Sequence, residues 1–149
     1  DNTTAHGVWT FPEGDVACPG IDERDFPVTG RHAPNWQWRI LYVGRIDAPK
    51  GVETLLRGFA ELPSEASLTM VGRGNHPYRE ALHVLARSLG VADIVTFSSA
   101  PRHELARRYR GADLVVFPSE WDEPFGLVPL EAMACGVPVV TSRVGDLAA

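Results

Sequence analysis

RILYVGRIDAPKGVETLLRGFAELPSEASLTMVG, residues 39–72, is the stretch on which the reading of the fold turns. Ile40–Val43 is a short β-branched, aliphatic and aromatic run, a strand composition. Beyond Pro49 the period changes. Val52, Leu55, Leu56, Phe59 and Leu62 recur at intervals that line one side of a helix. SLTMVG at 67–72 then returns to a strand pattern. A strand, a helix and a second strand in succession form a βαβ unit, whose two strands run parallel.

The alternation continues along the chain. A helix is expected from about Tyr78 to Leu89, closed by Gly90, and Ile94–Phe97 reads as a strand. Pro101 opens a further helix and Gly111 closes it. DLVVFP is strand-like, Leu127–Cys135 is a short helix, and VPVVTS is strand-like again. Strands that are apolar along their length are covered on both faces, so the expected fold is α/β, a doubly wound parallel sheet of Rossmann-like type. Residues 1–38 hold Pro, Gly, Asp and Thr without a sustained period. They read as an irregular N-terminal segment or interdomain connection, with the α/β domain over 39–149.

Composition limits the function classes. The 149 residues are 44% hydrophobic and 22% charged, as in a soluble globular domain, and no apolar run is long enough to span a membrane. A net charge of −5 argues against a nucleic-acid partner, which needs a basic stripe. Arg107, Arg108 and Arg110 gather at one helix end, where cations are favoured, and read as a solvated surface. No signal-peptide pattern opens the chain, although a start at Asp1 is compatible with lost upstream residues. Cys18 and Cys135 have no metal-like spacing and read as thiols in a reducing compartment, so a cytoplasmic protein is expected, at most peripheral to a membrane. Of the 14 basic residues only Lys50 is a lysine.

Ligands of such sheets lie beyond the carboxyl ends of the strands. The loops there are GRIDAPKG, GRGNHP, SSAPRH, PSEWDEPFG and SRVGD. GRIDAPKG sets Arg45 past the first strand and Lys50 before the next helix, with Gly44 and Gly51 leaving room for backbone approach. A guanidinium fork, an ammonium and a helix N-terminus make an anion site that suits a diphosphate, and two solvated cations in a loop are an equal reading. Neither a Walker loop nor G-x-G-x-x-G occurs, and GRG at 72–74 is an ordinary strand-to-helix turn by itself.

Glu131 is the one polar residue within the apolar run Leu127–Cys135. A carboxylate in such a setting needs a donor, which is either structural, a backbone N–H or an arginine, or a ligand hydroxyl. Glu123 precedes Pro124, which disfavours helix at that residue, so the helix is expected to start near Phe125 or Gly126. At about 1.5 Å per residue, Glu131 lies roughly 6 to 8 Å further along the axis. A nucleoside diphosphate sugar fits that edge, with hydroxyls at both ends and the diphosphate between them.

These stretches resemble the retaining glycosyltransferases of the GT-B class, specifically the group 1 or GT4-like family. Its E-x7-E signature matches Glu123 to Glu131, and its G-R-x4-K-G matches Gly44 to Gly51. CPGID…F at 18–26, GRG at 72–74 and ADLVVFPS at 112–119 agree in order. The resemblance covers most of residues 16–145 and favours the ligand reading of Glu131. It implies that Glu131 binds the donor ribose, that Glu123 faces the transferred sugar, and that Arg45 and Lys50 hold the diphosphate. It further implies base contacts near Phe97, Ser98 and Ser99, and phosphate or sugar contacts at Phe125, Gly126, Leu127 and Gly44. Serines stand where the family usually has glycine, which weakens the base assignment.

The resemblance also implies retention of anomeric configuration and catalysis without a metal. The absence of a D-x-D motif is consistent with the latter. No cofactor is expected beyond the nucleotide-sugar donor, and Glu123 is not assigned as a nucleophile. Family members carry an N-terminal acceptor-binding domain and continue beyond RVGD, so a donor-binding half with an incomplete C-terminal end is expected. A nucleotide-sugar-binding module without activity of its own, or an epimerase or hydrolase on a related scaffold, are the alternatives. His6, His32, His76, His83 and His103 read as surface residues, and Trp36 and Trp38 as packing residues. Trp121, close to Glu123, is a lesser candidate for sugar stacking.

Overall fold

The structure, a computed structural model, describes residues 9–10, 16–17, 20–27, 35–122 and 126–145. β1 (Trp9–Thr10) and β2 (Val16–Ala17) form a short antiparallel pair. The segment expected to be irregular therefore contains paired backbone. β3 (Arg39–Val43), β4 (Ser67–Val71), β5 (Val95–Ser98), β6 (Leu114–Phe117) and β7 (Val139–Thr141) make one parallel sheet in the order β5-β4-β3-β6-β7. Between them run α1 (Val52–Phe59), α2 (His76–Ser88), α3 (Arg102–Arg110) and α4 (Leu127–Ala134). The doubly wound α/β fold is thus the one observed.

Alternation along β3 divides the core. Ile40 and Tyr42 point to the side packed by Val52, Leu55, Leu56 and Phe59 of α1 and Leu82 and Ala86 of α2. Leu41 and Val43 point to the other side, against Ala106 and Tyr109 of α3 and Ala132 of α4. A sheet covered on both faces needs apolar side chains at consecutive positions, which explains why the strands are not amphipathic. The chain winds from β3 out to β5, returns to β6 beside β3, and winds outward again to β7. Strand order therefore reverses between β3 and β6.

Element ends follow local chemistry. Asn75 accepts from the Tyr78 backbone N–H at 2.8 Å and caps α2, so that helix starts at His76, two residues ahead of the expected Tyr78. Leu62 lies beyond α1 and is exposed, because the helix stops at Phe59. Ile94 belongs to a 3-10 turn, and β5 begins one residue later than expected. His83 is half-buried with its ring 4.5 Å from that of Phe97, rather than free on the surface. Trp36 and Trp38 pack edge to face at 5.4 Å, as a packing role requires.

The boundary at residue 39 does not separate the core from the segment before it. Phe26 is fully buried against α3 and α4, following a turn in which its N–H donates to Asp22 O at 2.9 Å. At the opposite end of the sheet, buried Asp113 accepts from the backbone N–H groups of Gln37 (3.1 Å) and Arg39 (2.9 Å) and from the Arg39 guanidinium (3.0 and 3.1 Å). The side-chain bonds from Arg39 hold the Asp113 carboxyl below the ordinary value of 3.8. Its contribution to stability is present above the unfolded value and lost as pH falls through the depressed folded one. Asp113→Ala is expected to cost about 2 kcal/mol, since it strands two backbone donors and a guanidinium. Urea unfolding at pH 7 measures it, and an unchanged midpoint would show that Asp113 does not hold the start of β3 in this way.

Candidate functional site

The reversal of strand order opens a crevice at the carboxyl ends of β3 and β6, and the two loops flanking it are those carrying the sequence motifs. Residues 44–51 follow β3, and residues 118–126 follow β6. Glu120 N–H donates to Pro49 O at 2.9 Å, and Thr54 Oγ1 donates to Glu120 Oε1 at 2.5 Å, so the loops are joined. Gly51 has φ 64°, and a Cβ there would sit 1.9 Å from Pro118 O. Only glycine permits this approach, as the spacing of the motif anticipates. Gly72 plays the same part for the neighbouring loop, where a Cβ would lie 1.7 Å from Gly44 O.

Arg45 is 72% exposed, with Nη1 3.2 Å from Asp47 Oδ2. Such an exposed pair contributes little and yields readily to a doubly charged ligand. Lys50 closes a 3-10 turn, Ala48–Lys50, immediately before Gly51 and α1. Acidic groups border this loop. Burial, then Glu53, Asp47 and Glu120, push the Tyr78 phenol up to about 12.

Gly126 adopts φ 59° and precedes α4, so the helix begins at Leu127, later than Phe125 or Gly126. Leu127 starts the helix with Gly126 as its N-cap. Glu123 and Phe125 lie outside the described residues. Trp121 is 61% exposed beside them.

Glu131 is 3% exposed. Its Oε2 accepts from Tyr109 Oη at 2.8 Å and its Oε1 from Arg102 Nη1 at 3.1 Å. The structural donor considered for this carboxylate therefore exists. An ionised carboxylate offers about four lone-pair directions, so two donors do not exhaust it. Tyr109 is in turn pushed to a higher pKa, chiefly by burial and then by the Glu131 charge.

Phe97 and Ser98 are members of β5 and not of the loop beyond it. The Phe97 ring contacts His83 and Arg79 of α2, and the Ser98 carbonyl accepts from Gly72 N–H at 2.9 Å. The cleft at this edge, about 270 Å³, is lined instead by Gly72, Arg73, Ser99, Ala100 and Pro101. Sequence reasoning did not name Arg102 and Tyr109. Their signal was present, since 102, 106 and 109 fall on one face of a helix and include its buried positions.

The family model described as "Glycosyl transferases group 1" matches residues 30–148. The D-inositol 3-phosphate glycosyltransferase of Frankia alni is 41% identical over 151 residues, spanning 89% of this chain and 37% of that protein. The sucrose-phosphate synthase of Thermosynechococcus elongatus superposes with a TM-score of 0.69 at 40% identity, over 74% of this chain and 29% of that one. The Anabaena protein HepE, solved in complex with UDP-glucose, superposes with a TM-score of 0.71 at 26% identity, over 85% of this chain and 37% of that one. The chain thus spans about a third of the length of these relatives.

Tyr109→Phe is expected to leave Glu131 Oε2 without its buried donor and to lower stability by about 1 to 3 kcal/mol. Chemical denaturation of the variant tests this. Equal stability would show that water or another group takes the hydroxyl's place.

Proposed function

The chain belongs to the group 1 glycosyl transferases, and on that premise we propose that it forms the donor site of an enzyme that moves a glycosyl group from a nucleoside diphosphate sugar to an acceptor. The single observation that carries this reading is the meeting of the two motif loops where strand order reverses, Glu120 N–H to Pro49 O, with Arg45 and Lys50 on one side and the α4 start on the other. A diphosphate lies against Arg45, Lys50 and the amide groups at Gly126 and Leu127. The base occupies the cleft of Gly72, Arg73 and Ser99–Pro101, which leads through Pro101 to Arg102 and so to Glu131. That continuity supports a ribose at Glu131, next to the base. Glu123, with Phe125 and Gly44, is assigned to the sugar end.

The chemistry follows from where charge builds. The bond between the anomeric carbon and the diphosphate oxygen breaks, the sugar gains oxocarbenium character, and the leaving diphosphate gains negative charge. Arg45 and Lys50 bind that leaving group more tightly as its charge grows, which lowers the barrier. Retention of configuration and independence from metal belong to the same proposal, as does an acceptor bound by parts of the enzyme beyond this site. Uridine is the base to try first, because a relative of 26% identity was solved with UDP-glucose.

Calorimetric titration of the chain with UDP, GDP and ADP, with and without magnesium, tests the reading. Saturable binding of one nucleotide, the same in both conditions, is expected, and binding of none sinks it. Glu131→Gln keeps the shape and is expected to weaken that nucleotide by about 1 to 2 kcal/mol. Lys50→Ala is expected to weaken UDP but to leave uridine nearly unaffected. An equal penalty on both ligands would contradict a diphosphate role.

A further inference from the structure

Glu131 is held by two side chains from one face of α3, and one of these donors is shared. Arg102 Nη1 donates to Glu131 Oε1 at 3.1 Å while Arg102 Nε donates to Asp25 Oδ2 at 3.0 Å. The guanidinium carbon lies 5.0 Å from the centre of the Phe26 ring, and Phe26 packs against Tyr109 with centroids 6.0 Å apart. Asp25, Phe26, Arg102, Glu131 and Tyr109 therefore form one closed set of contacts. Two of its members come from the segment that precedes the sheet domain.

Arg102 is not needed to fill the core, since its side chain is 51% exposed. Its reach to a carboxylate that is nearly buried has a geometric effect. Tyr109 fixes one oxygen of Glu131 and Arg102 the other, so the plane of the carboxylate is set and with it the directions of the remaining lone pair on each oxygen. Recognition of two adjacent hydroxyls needs such a plane, because both oxygens must accept at once. A single donor would leave the terminal torsion broad. The planar fork of arginine can serve two carboxylates simultaneously, which a lysine ammonium does with no fixed geometry.

We propose that Arg102 is the positioning residue for Glu131, and that Asp25, by holding the other edge of Arg102, makes recognition of a ligand's adjacent hydroxyls depend on the docked 20–27 segment. The proposal rests on the ribose reading of Glu131. Arg102 does not itself touch the nucleotide. Its removal loosens the hydroxyl contact and leaves the rest of the ligand's binding in place.

Binding of UDP and of 2′,3′-dideoxy-UDP to the full chain tests this, in the wild type, Arg102→Met, Asp25→Asn and the double variant, with thermal unfolding as the check on folding. The wild type is expected to prefer UDP at least tenfold. Arg102→Met is expected to reduce that preference to about twofold while dideoxy-UDP binds within twofold of wild type. Asp25→Asn is expected to cut the preference by a smaller factor and to add nothing in the Arg102→Met background. A preference that survives Arg102→Met overturns the proposal and leaves the ribose reading standing. Equal weakening of both ligands overturns it too, since Arg102 would then act on the phosphates or on folding. A wild type that does not discriminate, or binds neither ligand, overturns the ribose reading and the proposal with it. Should Arg102→Met not fold, an unchanged preference in the surface variant Asp25→Asn overturns the coupling.

Discussion

β3 is paired on both edges and covered on both faces, and the rest of the molecule is arranged around that constraint. A strand so placed has no solvent side, so Ile40–Val43 must all be apolar, and successive residues face the two helical layers in turn. Its entrance is fixed by Asp113, which gathers two backbone N–H groups and the Arg39 guanidinium. Its exit is where the topology reverses. Because successive crossovers turn the same way, winding outward on either side of β3 sends the two helix pairs to opposite faces. The loops after β3 and β6 then part to either side, and the crevice between them is a consequence of connectivity.

Close backbone approach turns that crevice into a defined site. The carbonyl of Pro118 stands where Gly51 would carry a side chain, and the carbonyl of Gly44 stands where Gly72 would. The Gly51 contact brings the β3 loop against the start of the β6 loop, where Glu120 is bonded both to Pro49 O and to Thr54. The loop after β7 is tied in as well, since Ser142 N–H donates to Phe117 O at 3.1 Å and Ser142 Oγ donates to Ser119 O. The loops at this edge are thus fixed largely by main-chain bonds, and Arg45 stays 72% exposed beside Asp47.

Glu131 is a buried carboxylate held by structural donors. Burial would make it costly without donors, and Tyr109 and Arg102 supply them. Those donors come from α3, one helix away, and one of them leans on Asp25 and Phe26. Glu131 is therefore continuous with the core between α3 and α4, and with the segment that leads into the domain. Of the two donors weighed from the sequence, the folded protein supplies the structural one, and it leaves lone pairs on the same carboxylate.

The sequence by itself determined the layers and their order. Hydrophobic period is a local property, so the runs at 40–43, 68–71 and 114–117, and the helical spacing from Val52 to Phe59, could be read residue by residue. The motifs G-R-x4-K-G and E-x7-E were legible for the same reason, being short and contiguous, and they led to the family that the comparisons show. Caps were less legible: Asn75 lengthened α2 because its side chain accepts from the free Tyr78 N–H of the first turn, and Gly126 delayed α4 by adopting a left-handed conformation. Only the tertiary structure decided that Phe97 and Ser98 pair with β4 in the β4–β5 ladder, that Phe26 belongs to the core, and that Arg102 joins Asp25 to Glu131. Those pairings link residues far apart in the chain, and no period or spacing encodes which of 13 arginines will meet a given carboxylate once the helices have packed.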